Sequence, residues 1–165
     1  MIHNFYIPAG GDEPDPTIND KFAHKLAFLD EMKDSPVCRD AAAGARSLLV
    51  GDLNIAPLEH DVWNHRQLLD VVSHTPIEVE KLNALQRAGG WIDVMRGFMP
   101  EPAKLYTWWS YRSPDWAAAD KGRRLDHVWA SPALARTTRK MTVVREARGW
   151  ERPSDHVPVV VSFDL

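Results

Sequence analysis

The sequence predicts an α/β (α+β) fold in which helices pack on a sheet, and three observations support this prediction. Residues 47–50 form a short apolar run, as in a central strand that is buried on both faces. Residues 159–163 form a second apolar, β-branched run, which predicts a buried strand near the end of the chain. Before both of them, over residues 22–29, apolar residues recur at helical spacing. The 165 residues are the length of one domain, and we expect a single domain over residues 1–165.

Composition narrows the class of protein. With 44% apolar and 26% charged residues, the chain has the values of a globular protein in water. No apolar run approaches the roughly 18 residues of a membrane span, and the first residues do not resemble a signal peptide. The single cysteine, Cys38, excludes an internal disulfide. We therefore expect a cytoplasmic protein with no membrane partner.

The first half of the chain predicts a strand, a helix and a strand. Residues 2–7 favour a strand that ends at Pro8. Residues 17–34 favour a helix, because Phe22, Leu26 and Leu29 form an apolar stripe. Pro36 should end this helix, and a loop or frayed extension should follow to residue 44. The strand at residues 47–50 comes next.

The middle of the chain carries a clear helix signal. Thr75 and Glu78 form a capping box with Pro76 at the first helical position. The helix should run to residue 88 and end at the glycines of residues 89–90. Residues 91–95 should then form a short helix.

Three further strands are predicted, at residues 105–112, 123–130 and 138–145. Because neighbours in a strand face opposite sides, Trp108 and Trp109 cannot both lie in the core. One of them should meet solvent, or stack on a base or sugar beside Arg112. Asp126 lies within an apolar strand and needs a partner, for which His156 is the natural candidate.

Polar residues with chemical potential occur next to two of the predicted strands. Asp52 and Asn54 follow the central strand, where side chains commonly line a cleft. Asp155 and His156 precede the last strand and combine a hard oxygen ligand with a group that titrates near neutral pH. The alternative for both segments is a turn that uses these residues for their backbone tolerance. Residues 101–152 are locally basic, with 11 Lys/Arg against 6 Asp/Glu, which suits a phosphate-bearing partner.

Four short segments in order resemble the endonuclease/exonuclease/phosphatase superfamily. They are the residues 4–8, 51–54, 124–127 and 154–158, which read NFYIP, GDLN, RLDH and SDHVP. The segment 106–112, YTWWSYR, makes the chain similar to the exonuclease III branch. The resemblance extends over the whole chain. It implies a DNase I-like β-sandwich flanked by helices.

The resemblance also implies a Mg²⁺-dependent DNA repair nuclease, with Mn²⁺ as an alternative ion. Its substrate would be double-stranded DNA with abasic sites or 3′ ends. By position, Asp126 would orient His156 on the scissile phosphate, Asp52 would transfer a proton and Asn54 would hold Asp52. Asp155 would match a metal-binding carboxylate, and Tyr6 a phenol that contacts phosphate. Trp108 would match the aromatic residue that packs on the extruded deoxyribose. Asp52 and Asn54 would join Asp155 at the metal, and Arg112 would contact the DNA backbone.

The chain departs from the family pattern at the start. The family has an N-terminal half with a Trp-Asn pair and then a Gln-Glu pair, whose Glu is the main metal ligand. The chain has no Gln-Glu pair, and Trp63-Asn64 lies in the wrong order. We therefore expect mainly the C-terminal half of the fold, weak binding of Mg²⁺ and poor activity. An uncovered sheet should pair with the missing half or promote self-association.

Two other functions fit the same residues. One is another phosphatase or phosphodiesterase of the superfamily, although the strand with Trp108 and Arg112 argues against it. The other is a DNA-binding fragment that lacks catalysis. Comparing cleavage of abasic DNA with that of a soluble phosphate ester distinguishes a DNA repair nuclease from another phosphodiesterase. The effect of Asp52→Asn on turnover distinguishes a nuclease from a non-catalytic fragment.

Overall fold

The structure is a computed structural model that describes residues 1–164, which contain both strands and helices. The strands are β1 (Ile2–Asn4), β2 (Leu48–Asp52), β3 (Ile92–Asp93), β4 (Trp108–Trp109), β5 (Gly122–Arg123), β6 (Asp126–Ala130), β7 (Thr138–Val143) and β8 (Val159–Phe163). The helices are α1 (Asp20–Lys33), α2 (Pro36–Ala42), α3 (His65–Leu68), α4 (Pro76–Ala88), α5 (Val94–Phe98), α6 (Trp116–Ala119) and α7 (Pro132–Ala135). Short 3₁₀ turns lie at Glu59–Asp61 and Arg145–Gly149. The predicted α/β class is confirmed.

A four-stranded sheet in the order β1-β2-β6-β3 organises the chain. Strand β1 is parallel to β2, whereas β6 runs antiparallel to both β2 and β3. Strands β4 and β5 form one separate antiparallel pair, and β7 and β8 form another. In the β2–β6 register Asp52 lies opposite Asp126. Two carboxylates thus meet at one end of the central strands.

Helices α1 and α4 cover one face of this sheet. The apolar stripe of α1 supplies Leu29, which packs with Leu82 and Leu85 of α4 and with Leu49 of β2. The predicted capping box of α4 is present, with Thr75 as the N-cap and Pro76 at the first position. The predicted bounds of α4 are therefore confirmed, because local capping and tertiary packing favour the same ends.

The elements near the start of the chain have different bounds from those predicted. Strand β1 ends at Asn4, although the N–H groups of Phe5 and Ile7 still donate to carbonyl oxygens of the neighbouring strand β2. Helix α1 begins at Asp20 because the side chain of Asn19 accepts from the next turn. The stretch after residue 36 is neither the predicted loop nor a frayed extension of α1, but a separate helix. Proline fits the first turn of a helix, so this segment forms α2.

Predicted elements in the second half also change, and the strand predicted at 138–145 ends at Val143 as β7. Residues 91–95 divide into β3 and the start of α5, which Asp93 caps. The predicted strand at 105–112 contracts to β4, and that at 123–130 divides into β5 and β6. The division follows Arg124, whose guanidinium group and backbone N–H both bind Asp61. Because Arg124 pairs with Asp61, residues 124–125 belong to neither strand.

Strand β8 was predicted to be buried, and it is amphipathic instead. Its residues alternate between half-buried and exposed, and Val160 is 53% exposed. Only β7 pairs with β8 within residues 1–164, so one face of this two-stranded sheet packs inward and the other faces out. An apolar, β-branched composition therefore did not indicate burial on both faces here.

Gly51 places the end of β2 close to the preceding segment. Its φ is 131°, and a Cβ atom there would lie 2.0 Å from the carbonyl oxygen of Phe5. Only glycine allows this approach.

Within residues 1–164, no helix is long and apolar enough to cross a membrane.

Candidate active site

The turn after β2 is built around the carboxylate of Asp52. Asn54 has a φ of 52°, in the left-handed region that Asn tolerates better than most residues. Its backbone N–H donates to Oδ1 of Asp52 at 3.0 Å, and its Nδ2 donates to Oδ2 at 3.0 Å. The same Nδ2 donates to the carbonyl oxygen of Ile7 at 2.8 Å. Backbone tolerance, offered above as the alternative to a functional role, is here what orients the carboxylate.

The environment of Asp52 makes it a weak acid. Burial raises the pKa of Asp52 to about 6, against the opposing charge of His156 and with a smaller contribution from Asp126. A carboxyl group with this pKa exchanges its proton close to neutral pH. That property suits general acid–base chemistry.

His156 lies between two carboxylates. Its Nδ1 is 2.8 Å from Oδ2 of Asp126, and its Nε2 is 3.8 Å from Oδ2 of Asp52. Burial alone would lower the pKa of His156, but the hydrogen bond and charge of Asp126, together with Asp52 and Asp155, raise it. The predicted pairing of Asp126 with His156 is therefore present. It favours an imidazolium whose Nε2–H faces away from Asp126.

Thr107 supports this dyad from behind and was not found from the sequence. Its side chain is fully buried, and its Oγ1 accepts hydrogen bonds from the backbone N–H groups of Leu125 and Asp126, both at 3.1 Å. The N–H of Val157 donates to the Thr107 carbonyl at 2.8 Å. One residue thus fixes the backbone on both sides of the Asp126–His156 pair.

The prediction that only one of two adjacent tryptophans lies in the core is confirmed. Trp109 is 2% exposed, whereas Trp108 is partly exposed. The Nε1 of Trp108 donates to Oδ2 of Asp155 at 2.9 Å. The guanidinium carbon of Arg123 lies 5.5 Å from the centre of the Trp108 ring. Asp155 therefore contacts the edge of the partly exposed Trp108 ring, and Arg123 lies over one of its faces.

The predicted site residues open onto one cavity of about 930 Å³. Those that line it are Tyr6, Asp52, Asn54, Trp108, Arg112, Asp155 and His156. Tyr6 is 66% exposed, and Arg112 is also exposed. Asp126 does not line the cavity and reaches it only through the imidazole of His156. Residues from four of the predicted segments therefore share one cleft, and the fifth segment contributes Asp126 behind His156.

Other residues of this cleft were not predicted. Trp63 lines it, with the ammonium of Lys121 4.6 Å from the centre of its ring, although the Trp63-Asn64 pair lies in the wrong order for the family pattern. Ser73 also lines it and binds the Arg123 guanidinium through its Oγ at 2.8 Å. Trp63 lies between the turn at Glu59–Asp61 and α3, outside any periodic segment, so sequence pattern alone does not indicate its place in the cleft.

The donor types at the cleft fit a hard divalent cation. Carboxylate and amide oxygens are the ligands that Mg²⁺ prefers, and Asp52, Asn54 and Asp155 offer only such donors. Among residues 1–164, the His, Cys, Asp and Glu side chains whose ligand atoms cluster within 4.8 Å of one another are Asp52, Asp126 and His156, without Asp155. That second set includes an imidazole already bonded to Asp126, so it suits proton transfer better than Mg²⁺.

Comparisons with known proteins agree with this geometry. The model of the Endonuclease/Exonuclease/phosphatase family matches residues 19–156. The chain is 25% identical to exodeoxyribonuclease III of Haemophilus influenzae over an alignment of 171 positions, which covers 98% of this chain and 61% of that protein. Among solved structures, it resembles an AP endonuclease from Archaeoglobus fulgidus with a TM-score of 0.87 and 26% identity.

A third relative is the 3′-5′ exonuclease NExo from Neisseria meningitidis, with a TM-score of 0.87 and 30% identity. NExo has also been solved as a 3′ phosphatase bound to product DNA hairpin. Each structural comparison covers 99% of this chain and 61% of the other chain. The chain thus spans about three fifths of the length of these relatives.

Proposed function

The chain belongs to the endonuclease/exonuclease/phosphatase family, in its exonuclease III branch, and from this premise we propose that it hydrolyses phosphodiester bonds in DNA at abasic sites and 3′ ends. The observation that carries the proposal is the convergence of Asp52, Asn54 and His156 at one cleft, with Asp126 behind the imidazole. Phosphodiester cleavage passes through an anionic transition state, so it needs donors and proton-transfer groups around one phosphorus atom.

We assign His156 to the scissile phosphate. Its Nδ1 is occupied by Asp126, which leaves the Nε2–H to donate to a phosphate oxygen. The raised pKa of His156 favours the charged form at neutral pH, and a charged donor stabilises developing negative charge better than a neutral one.

We assign Asp52 to proton transfer, either from the attacking water or to the leaving oxygen. The two hydrogen bonds from Asn54 fix both carboxylate oxygens, so the group enters the reaction already oriented. A positioned acid–base group of this kind contributes about 10²–10⁴-fold to the rate.

We assign the cleft wall to DNA. Trp108 offers a partly exposed aromatic ring for an extruded sugar, and Trp63 offers a second ring beside Lys121. Tyr6 and Arg112 are exposed at the rim, where a phenol and a guanidinium can contact phosphates. The NExo relative bound to product DNA hairpin supports this substrate class.

Asp52, Asn54 and Asp155 would hold Mg²⁺, or Mn²⁺ in its place, by their oxygen atoms. Bound there, the ion would neutralise negative charge on the phosphate. Since no Gln-Glu pair occurs in the chain, we expect weak metal binding and slow turnover.

We also propose that an apolar face of the sheet takes a protein partner, either the remaining half of the fold or a second copy. A cavity of about 430 Å³ opens there, lined by Met1, Ile2, Arg46, Leu48, Leu134 and Phe163. The side chain of Ile2 is 69% exposed on the edge strand. A single domain over residues 1–165 and a cytoplasmic location stay predictions.

A cleavage assay tests the proposed function. End-labelled duplexes with an internal abasic site, a recessed 3′ end or a 3′-phosphate are incubated with the chain and Mg²⁺, beside a soluble phosphate diester. We expect slow cleavage of DNA that stops with EDTA and falls about 100-fold or more in Asp52→Asn.

Two results would contradict the proposal. Cleavage of the soluble ester but not of DNA would indicate another phosphodiesterase of the family. DNA binding without cleavage, and without any effect of Asp52→Asn, would indicate a non-catalytic DNA-binding fragment.

A further inference from the structure

A buried ion pair lies directly beneath the Asp52–Asn54 turn. Nζ of Lys25 in α1 is 2.5 Å from Oε1 of Glu78 in α4, and both side chains are 0% exposed. The same Nζ donates to the carbonyl oxygen of Asn54 at 2.8 Å and to that of Ala9 at 3.2 Å. A carboxylate and two carbonyls use all three hydrogens of an ammonium group.

Stability alone does not explain this pair. Taking both charges out of water costs several kcal/mol per ion, and apolar residues of similar volume often stabilise a fold as well or better. Burial lowers the pKa of Lys25, and Glu78 opposes that effect. A lysine at this position therefore needs a reason beyond packing.

The reason lies in what the pair joins. Through Asn54 it reaches the turn that orients Asp52, and through Ala9 it reaches the loop after Ile7. Glu78 in turn accepts from the backbone N–H of Ser73, a residue of the cleft wall with a φ of 86°. Three loops of the cleft are thus hydrogen-bonded to one buried ion pair.

We propose that Lys25, held by Glu78, is a positioning residue that fixes the carbonyl of Asn54 and thereby the orientation of the Asp52 carboxylate. The left-handed conformation of Asn54 is unfavourable by itself, and a donor on its carbonyl oxygen stabilises it. The effect on turnover rests on the proposed function, whereas the effect on the turn does not.

The test separates positioning from stability with a double variant. Lys25→Met leaves Glu78 as an uncompensated buried charge, so it should lower Tm strongly. Lys25→Met/Glu78→Gln removes that charge and should recover Tm to within about 5 °C of the wild type. The carbonyl oxygen of Asn54 stays without its ammonium donor in both.

The matched control is Lys81→Met/Asp30→Asn. Nζ of Lys81 in α4 lies 2.6 Å from Oδ2 of Asp30 in α1, so this pair joins the same two helices at the surface. It touches none of the three cleft loops. Its removal should change neither the turn nor the turnover.

The first readout is amide hydrogen exchange in the ¹⁵N-labelled chain, which needs no activity. In the Lys25→Met/Glu78→Gln variant we expect exchange at the Asn54 N–H to accelerate about tenfold or more, while Leu29 and Leu85 exchange as in the wild type. The second readout is kcat and KM on the abasic duplex, where kcat should fall about 10- to 100-fold with little change in KM.

Wild-type exchange at Asn54 in a double variant that has recovered its Tm would overturn the proposal. Should the Lys25 variants not fold, Glu78→Gln takes their place, because it removes the group that holds the ammonium. This variant leaves the ammonium as an uncompensated buried charge, so exchange is compared within one chain. Exchange at Asn54 should rise several-fold more than at Leu29 and Leu85, and an equal rise at all three would overturn the proposal. A wild-type chain that cleaves no DNA would contradict the proposed function and leave the exchange result to decide on Lys25.

Discussion

The Nδ1 atom of His156 lies 2.8 Å from Oδ2 of Asp126, and this contact sets the state of the imidazole. A carboxylate on one ring nitrogen fixes the ring orientation and leaves the other nitrogen as the donor to the cleft. The second carboxylate, Asp52, lies 3.8 Å from that other nitrogen. A protonated imidazole and an ionised Asp52 are therefore the expected pair at neutral pH.

The rate of DNA cleavage should depend on pH in a bell shape. The pKa of Asp52 is about 6, so activity should rise as this group ionises through pH 6. The pKa of His156 is raised above its ordinary value, so activity should fall only above neutral pH, as the imidazole loses its proton. Single-turnover rates from pH 5 to pH 9 at limiting Mg²⁺ measure both limbs, and because a bound cation lowers the pKa of a carboxylate ligand, saturating Mg²⁺ should move the acidic limb to lower pH.

Asp126→Asn provides the comparison for that profile. The variant keeps the shape but loses the charge beside Nδ1, so the alkaline limb should move to lower pH. An alkaline limb that stays in place would show that His156 does not determine it.

Asp52 should make the fold less stable at neutral pH. Its pKa is about 6 when folded and 3.8 as the ordinary value, so the protonated form is favoured by the fold. This contribution is fully present below pH 4 and is lost as pH rises through 6, a change of roughly 3 kcal/mol. Asp52→Asn does not titrate there, so its stability relative to the wild type should increase from pH 4 to pH 7.5. Urea unfolding with EDTA at both pH values measures it, and a constant difference would contradict the prediction.

Thr107→Val should destabilise the fold although it conserves shape. The valine cannot accept the N–H groups of Leu125 and Asp126, and two buried donors without partners cost roughly 2–4 kcal/mol. Thr107→Ser keeps the acceptor and loses one methyl group, at about 1 kcal/mol. Denaturant unfolding of both variants checks the order. Equal losses would mean that the hydroxyl acceptor contributes nothing.

Asp155→Asn should weaken Mg²⁺ binding. The proposed set is Asp52, Asn54 and Asp155, and the loss of one carboxylate should reduce the affinity about tenfold or more. Isothermal titration calorimetry measures it, with Asp164→Asn as the control because Asp164 pairs with Arg139 on the surface. An unchanged affinity in Asp155→Asn would remove Asp155 from the ligand set.

Local chemistry predicted the elements whose ends are capped. Helix α4 has the predicted bounds because Thr75, Pro76 and Glu78 specify its start. Strand β4 is shorter than predicted because its ladder depends on a partner, β5, that is itself only two residues long. Propensity cannot report the length of a partner strand.

Some residues of the candidate site could be predicted from the sequence, and others could not. Asp52 and His156 could be found because they occur beside strands in short, ordered segments. Thr107 could not, because a threonine in a strand is ordinary and its role depends on two backbone groups 18 and 19 residues away. Lys25 did leave a signal: it lies on the apolar stripe between Phe22 and Leu26, where a charged residue needs a buried partner.

The measurement that tests the central claim most directly is a double-mutant cycle on kcat for abasic-site cleavage, with His156→Ala, Asp126→Ala and the double variant. If Asp126 acts through the imidazole, the double variant should be no slower than His156→Ala within about threefold. Losses that multiply across the two residues would contradict the claim that Asp126 and His156 act as one unit on a phosphate.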